Sequence, residues 1–409
     1  MAQAFSPKKY FSKIHAHELL VELYQRHEIV ALFEITENTP RKNAVDIIMD
    51  FYKNLPPSQK IDLEKELILV NTLSTKHAVP LFVSLLKKNG LPHDITTIEC
   101  KTDQDRVLYY YLFNKDIFDE VLFFHDFYTT KGYMIYEAGE VDLTEAHLSI
   151  TTLQKEFHRI ANKDDRTTEC EVKGEILDDF LYVEASFEGM PEVTPTKDKE
   201  TGEIDRTRTT KKQESVRIVY LPTDKEVLIS YTGSKYEKLV FLDTFLRIVC
   251  KSGYDDKVES FDLSVFKKMD FDFSATNRGT PLLTWKIKSI TVSFGSEKQR
   301  KKIRLSLPSS VQEKGLSPLF NTLEEIGITS QFSSFVVENV ALSFAFSDKK
   351  NTEKSVSVGC SLSLLKSSLC PLFPYDRYAR TLLKQAGIDN GFVEGTKKEK
   401  EGVTKKWES

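Results

Sequence analysis

Apolar positions in the first part of the chain recur at helical spacing. Val45, Ile48, Tyr52 and Leu55 stand three and four apart behind the start signal Asn38-Thr39-Pro40, which predicts a helix over 41–55. Pro56-Pro57 breaks the pattern, and Ser58 is placed to cap the next helical run. The segment "TKHAVPLFVSLLKKNG" ends in Asn89-Gly90, a helix-stop pair. "DQDRVLYYYLFN" and "DIFDEVLFFHDFYTTKG" give two more helices, the second closed by Gly132. Leu143, Ala146, Ile150, Leu153, Phe157 and Ile160 alternate three and four apart. That spacing predicts one helix over 143–161 with a narrow seam for a neighbouring helix of the same chain or of a second copy. Residues 1–162 therefore read as a helical domain of hairpins or an irregular bundle.

Beyond residue 166 the period falls to two. "CEVKGEILDDFLYVEASFEG" alternates as strands do. Residues 190–215 are nearly devoid of large apolar groups and read as a mobile loop. Then a line is written twice: "IKSITVSF" over 287–294 and "VENVALSF" over 337–344, fifty positions apart. Ile287, Ile290, Val292 and Phe294 match Val337, Val340, Leu342 and Phe344. Each copy continues through a charged turn, a second strand and a helix stopped by Gly-Ile. The copies span 287–328 and 333–388, and a weaker third covers 216–250. A lone hairpin is marginal in water, so the units are expected to join into one antiparallel sheet with helices against it over 166–388. The fold class is α+β: a helical N-terminal domain, then an antiparallel-sheet domain of repeated strand–turn–strand–helix units. Residues 389–409 read as a disordered charged tail.

Bulk properties narrow the functional classes. A net charge of −4 gives no global attraction to nucleic acid or anionic membrane, so such binding must rest on a local patch. Five scattered cysteines with no CxxC pair point to free thiols in a reducing compartment. No apolar core of a signal peptide and no run of 18 apolar residues is present, so a cytoplasmic protein without membrane contact is expected.

Candidate chemistry falls into two classes. Lys298, Arg300, Lys301, Lys302 and Arg304 crowd the turn of the first repeat, and Arg206, Arg208, Lys211 and Lys212 crowd the loop. Brought together, these charges would grip a phosphate backbone; the plainer reading is a solvated turn and loop. The second class is catalytic. The order Asp94…Glu99-Cys100-Lys101 resembles the metal-dependent PD-(D/E)xK nuclease motif. That resemblance implies carboxylates holding Mg²⁺ and a lysine orienting the attacking water. The family places its Asp and its ExK triplet on successive strands, whereas Asp94 and Glu99 are five apart in a helix–loop–helix context. A second triplet, Glu171-Val172-Lys173, follows Asp164-Asp165. His15 and His17 stand two apart, a spacing that does not share a helix face. No phosphate-binding loop, dinucleotide fingerprint or HExxH motif occurs.

The expectation is a non-enzymatic intracellular interaction protein with a protein partner and no cofactor. It would serve as a nucleic-acid-associated subunit of a larger assembly, of the kind found in bacterial defence or DNA processing. The alternative is a Mg²⁺-dependent nuclease-like hydrolase using Asp94 and Glu99.

Overall fold

The computed structural model describes residues 5–29, 35, 39–75, 78–92, 100–162, 169–193, 196–197, 204–205, 209–255, 257–268, 270–294, 301–307, 321–322, 325, 335–348 and 355–394. The chain forms two compact units, Met1–Thr130 and Lys131–Ser409. This boundary differs from the expected one at residue 162.

The first unit is helical: α1 (Pro7–Phe11), α2 (His17–Arg26), α3 (Arg41–Lys53), α4 (Pro57–Leu73), α5 (Ala78–Lys88), α6 (Asp103–Phe113) and α7 (Lys115–Thr129). Leu20, Leu23, Ile48, Leu63, Leu67, Phe82, Leu108 and Phe124 form part of its buried interior. One buried carboxylate ties distant segments together. Asp105 accepts hydrogen bonds from the amides of His15 (2.7 Å) and Ala16 (3.1 Å). Its other oxygen accepts from the Thr102 amide (3.0 Å), which completes a capping box on α6.

The second unit contains two five-stranded antiparallel sheets, not one. The first is built from β1 (Met134–Glu137), β2 (Cys170–Leu177), β3 (Phe180–Val193), β6 (Thr209–Leu221) and β7 (Glu226–Tyr231), in the order β1-β7-β6-β3-β2. The weaker third copy of the repeat, β6 and β7 with α10 (Lys235–Ile248), lies here, apart from the other two copies. The β2–β3 hairpin turns through Asp178 and Asp179, both at positive φ (50° and 64°), as a two-residue turn between twisted strands requires. The seam expected of one helix is divided at Ser149 into α8 (Leu143–Leu148) and α9 (Ile150–Ala161). Its buried residues, Ala146, Leu153 and Phe157, face the sheet and α10 within the same chain, with Phe157 and Phe241 rings 4.9 Å apart. Tyr220 donates to the Gly139 carbonyl and accepts from the Val141 amide, both at 2.8 Å, fixing the entry to α8. A Cβ on Gly139 would lie 2.7 Å from the Cys250 carbonyl, so that approach needs glycine.

The expected mobile loop is also corrected. β3 and β6 remain paired through Val193↔Thr209, and β4 (Thr196–Lys197) pairs with β5 (Ile204–Asp205). Backbone pairing there needs no apolar side chain, so a composition-based reading misses it.

Next come β8 (Lys257–Phe261), a short 3₁₀ turn and α11 (Phe273–Thr276). The second sheet comprises β9 (Leu282–Phe294), β10 (Lys301–Ser306), β11 (Val336–Ser347), β12 (Ser355–Ser363) and β13 (Lys366–Ser367), in the order β10-β9-β11-β12-β13. The two copies of the repeated line are its neighbouring central strands, β9 and β11. Ile290 pairs with Val340, its own counterpart fifty positions on; Ile287 pairs with Leu342 and Val292 with Val337. The pairing is thus reciprocal about the Ile290–Val340 pair. The helix expected in the first copy falls largely outside the described residues. In the second it is α12 (Pro374–Gln385). Asp389–Glu394, expected in the tail, forms β14 against β8; residues 395–409 lie outside the described residues.

α12 joins the two sheets. Ala379, Leu382 and Leu383 enter the core of the second sheet with Trp285, Phe344 and Phe346. On its other side Arg377 lies over the Phe180 ring of β3, 4.5 Å from its centroid. Arg380 donates to both oxygens of Glu226 on β7 (2.6 and 2.8 Å) and to Glu259 on β8 (3.2 Å). All three side chains are buried. Burial pushes the Glu259 carboxyl up to about 7; Arg380 pulls the other way, and Glu226 and Asp389 add to the rise. The buried group is therefore a bidentate Arg–Glu pair beside a carboxyl that keeps its proton below about pH 7 and sheds it above.

Two expected outcomes follow from these carboxylates. Folded Glu259 holds its proton up to about pH 7, whereas unfolding returns it to the ordinary 4.5. Its contribution is complete below pH 4.5 and is lost as pH rises through 7, on the order of 3 kcal/mol in total. Urea unfolding followed by Trp285 emission at pH 5 to 8 measures it. Glu259→Gln should flatten the profile, and Arg380→Met should cost about 3–5 kcal/mol by stranding the buried Glu226 carboxylate. In the helical unit, Asp105→Ala should cost about 2–4 kcal/mol, against about 1 kcal/mol for Thr102→Ala, by helical circular dichroism.

Candidate nucleic-acid interface

The second sheet has one apolar face and one polar face. Trp285, Ile287, Ile290 and Val292 on β9, with Val337, Val340, Leu342, Phe344 and Phe346 on β11, point into the core. Strand alternation sends their neighbours to the opposite face. There β12 shows Ser355, Ser357, Gly359 and Ser361, all exposed, and β10 shows Lys302, Arg304 and Ser306, all exposed. Cross-strand register aligns Arg304, Thr291, Asn339, Ser363 and Lys366 in one row over five strands. The aromatic residues of β9 and β11 that enter the core leave this polar face with small hydroxyl and methyl groups framed by charge.

The β9–β11 pairing has three register shifts, one of them near its end between Ala345 and Phe346, and the other two shape the middle of the face. Register shifts occur between Val337 and Asn339 and between Ala341 and Leu342. They leave Glu338 on β11 and Lys288 on β9 as extra residues, again fifty positions apart. A bulge turns two successive side chains to one side, so Lys288 with Ser289 and Glu338 with Asn339 face outward. Glu338 is buried and binds Lys302 at 2.6 Å. Lys286, Lys288, Arg304 and Lys366 have no carboxylate partner among the described residues. The face therefore carries an excess of positive charge in a chain whose net charge is −4.

The sequence-derived candidates meet this face only in part. Lys302 and Arg304 stand on it, and Lys301 opens β10 opposite Phe294. Lys298 and Arg300 lie outside the described residues, as do Arg206 and Arg208. Lys211 and Lys212 belong to β6 in the other sheet, so a shared patch with the β10 lysines is not formed by one sheet. Lys286, Lys288 and Lys366 were not among the candidates. For Lys288 the signal was present in the two polar residues between Ile287 and Ile290, a break in alternation that marks a bulge.

The catalytic candidates fare differently. Asp94 and Glu99 lie outside the described residues. Glu171 and Lys173 are exposed on β2, where Lys173 stands opposite Glu184, itself bound to Arg217 at 2.7 Å. His15 lies beside Arg41, its Nδ1 3.0 Å from the guanidinium. Among the described residues no three His, Cys, Asp or Glu side chains converge as a metal site would need, and no single helix is long and apolar enough to cross a membrane. In the helical unit, Ile61 and Ile68 are exposed on α4.

Compared with known proteins, the chain is matched by no protein-family model and by no curated protein.

Proposed function

We propose that this chain is a non-enzymatic interaction protein that holds a nucleic-acid backbone against the polar face of its second sheet. The observation that carries the reading is the charge of that face: Lys286, Lys288, Lys302, Arg304 and Lys366 surround short hydroxyl side chains, with Glu338 as the opposing carboxylate. Short side chains let a bulky polyanion approach the sheet, and the cations supply phosphate contacts. Sheets that bind single strands stack bases on exposed aromatic rings. Here Trp285, Phe344 and Phe346 are buried on the other side, so the chemistry favours the backbone of a duplex over unpaired bases. The five free cysteines agree with a reducing, cytoplasmic setting. Exposed Ile61 and Ile68 on α4 give a protein partner an apolar foothold on the helical unit.

Backbone binding of this kind depends on salt and ignores sequence. Anisotropy with several unrelated 25-base-pair duplexes, at salt concentrations from about 50 to 200 mM, should show similar affinities. The variant Lys302→Ala/Arg304→Ala/Lys366→Ala should lower the log–log salt slope by about 0.9 for each phosphate it no longer neutralises. Absence of binding by the unmodified chain at the lowest salt, or an unchanged slope in the variant, would refute the reading.

A further inference from the structure

The reciprocal pairing of β9 and β11 allows two equivalent places on the polar face to be compared residue by residue. In the first, Lys302 stands opposite Ser293, which stands opposite Val336, with the bulge residue Glu338 alongside. In the second, Ser343, fifty positions on from Ser293, has Gly359 of β12 opposite it on one side and Lys286 on the other, with the bulge residue Lys288 alongside; Lys286 and Lys288 are the counterparts of Val336 and Glu338, fifty positions before them. The first place is closed on itself. Glu338 reaches across β9 to Lys302, and Ser293 beneath the pair is 2% exposed. The second is open. Ser343 is only half-buried, Gly359 is exposed, and two lysines stand there without a carboxylate among the described residues.

Gly359 itself needs an explanation. It sits inside a nine-residue strand, a Cβ added there would meet nothing within 4 Å, and its φ is not positive. Glycine costs a strand interior conformational entropy and packing. Where backbone geometry does not require it, it often marks the close approach of another group.

We infer that Lys286, Lys288, Ser343 and the bare backbone at Gly359 form a phosphate subsite, in which an external oxyanion takes the place that the Glu338 carboxylate fills in the other half. This rests on the proposed function, and it specifies which part of the face takes a phosphate most closely. The two lysines provide charge, the Ser343 hydroxyl donates a hydrogen bond, and the missing side chain at residue 359 provides room. The oxyanion can belong to a duplex backbone or be free phosphate, and the experiment separates these.

The test is to supply the carboxylate internally. Gly359→Glu places an acid where it can reach Lys288 across β11, as Lys302 reaches Glu338 across β9. Binding of a 25-base-pair duplex to the full chain should weaken about tenfold, with the salt slope lower by about 0.9, the equivalent of a single phosphate. Gly359→Ser should stay within about threefold, because a hydroxyl adds no charge. The unfolding midpoint followed by Trp285 emission should hold or rise in Gly359→Glu. If that variant fails to fold, Lys286→Ala/Lys288→Ala, which alters side chains without ion-pair partners among the described residues, should weaken binding to the same extent. Duplex binding unchanged by Gly359→Glu but weakened by Arg304→Ala would overturn the subsite and leave the wider face standing. If the unmodified chain binds no duplex, the proposed function falls, and titration with inorganic phosphate decides the subsite alone. Amide shifts at Ser343 and Gly359 that vanish in Gly359→Glu support it; no shifts at either residue overturn it.

Discussion

The second unit depends on a buried guanidinium. Its two sheets have separate cores, one around Phe157, Ile218 and Phe241 and one around Trp285, Leu342 and Phe344. α12 gives its apolar side to the second core and Arg380 to Glu226 and Glu259. A cation held between two acidic side chains in a dry interior is costly to desolvate, and it contributes only because its hydrogen bonds are made. It also sets geometry, because a bidentate contact defines direction as well as distance. The proton on Glu259 belongs to the same arrangement, since one guanidinium does not balance two buried negative charges.

That joint was not legible in the sequence. Glu226 follows a charged turn at the start of β7, Glu259 lies in a short amphipathic strand and Arg380 in a helix with several other charges, separated by up to 154 positions. Local pattern carries no information about which of many charged residues meet at that distance. The helices of the first unit were legible because burial on one face imposes a period that does not depend on the partner. The boundary at 130 was missed for the related reason that α8 and α9 have a helical period but cover a sheet.

The repeated line was legible as strand and only partly legible as surface. Its apolar residues defined the inner face of β9 and β11. The spacing of three between Ile287 and Ile290, and between Val337 and Val340, held the additional fact that each strand bulges. Only pairing shows that these bulges are reciprocal, that Glu338 satisfies Lys302, and that Lys288 has no such partner among the described residues. The candidate cations on the 190–215 segment were tied to a loop reading, and ladder pairing places Lys211 and Lys212 on the first sheet instead.

A duplicated strand pattern thus produces one self-neutralised place and one open place on the same polar face, and the open place is the proposed anion subsite. Amide hydrogen exchange of the full chain, with and without a 25-base-pair duplex at low salt, tests this central claim most directly. Added protection is expected over residues 284–291, 341–345 and 357–361, with β2 and β3 unchanged. Protection confined to the first sheet or to the helical unit, with the second sheet unaffected, would contradict it.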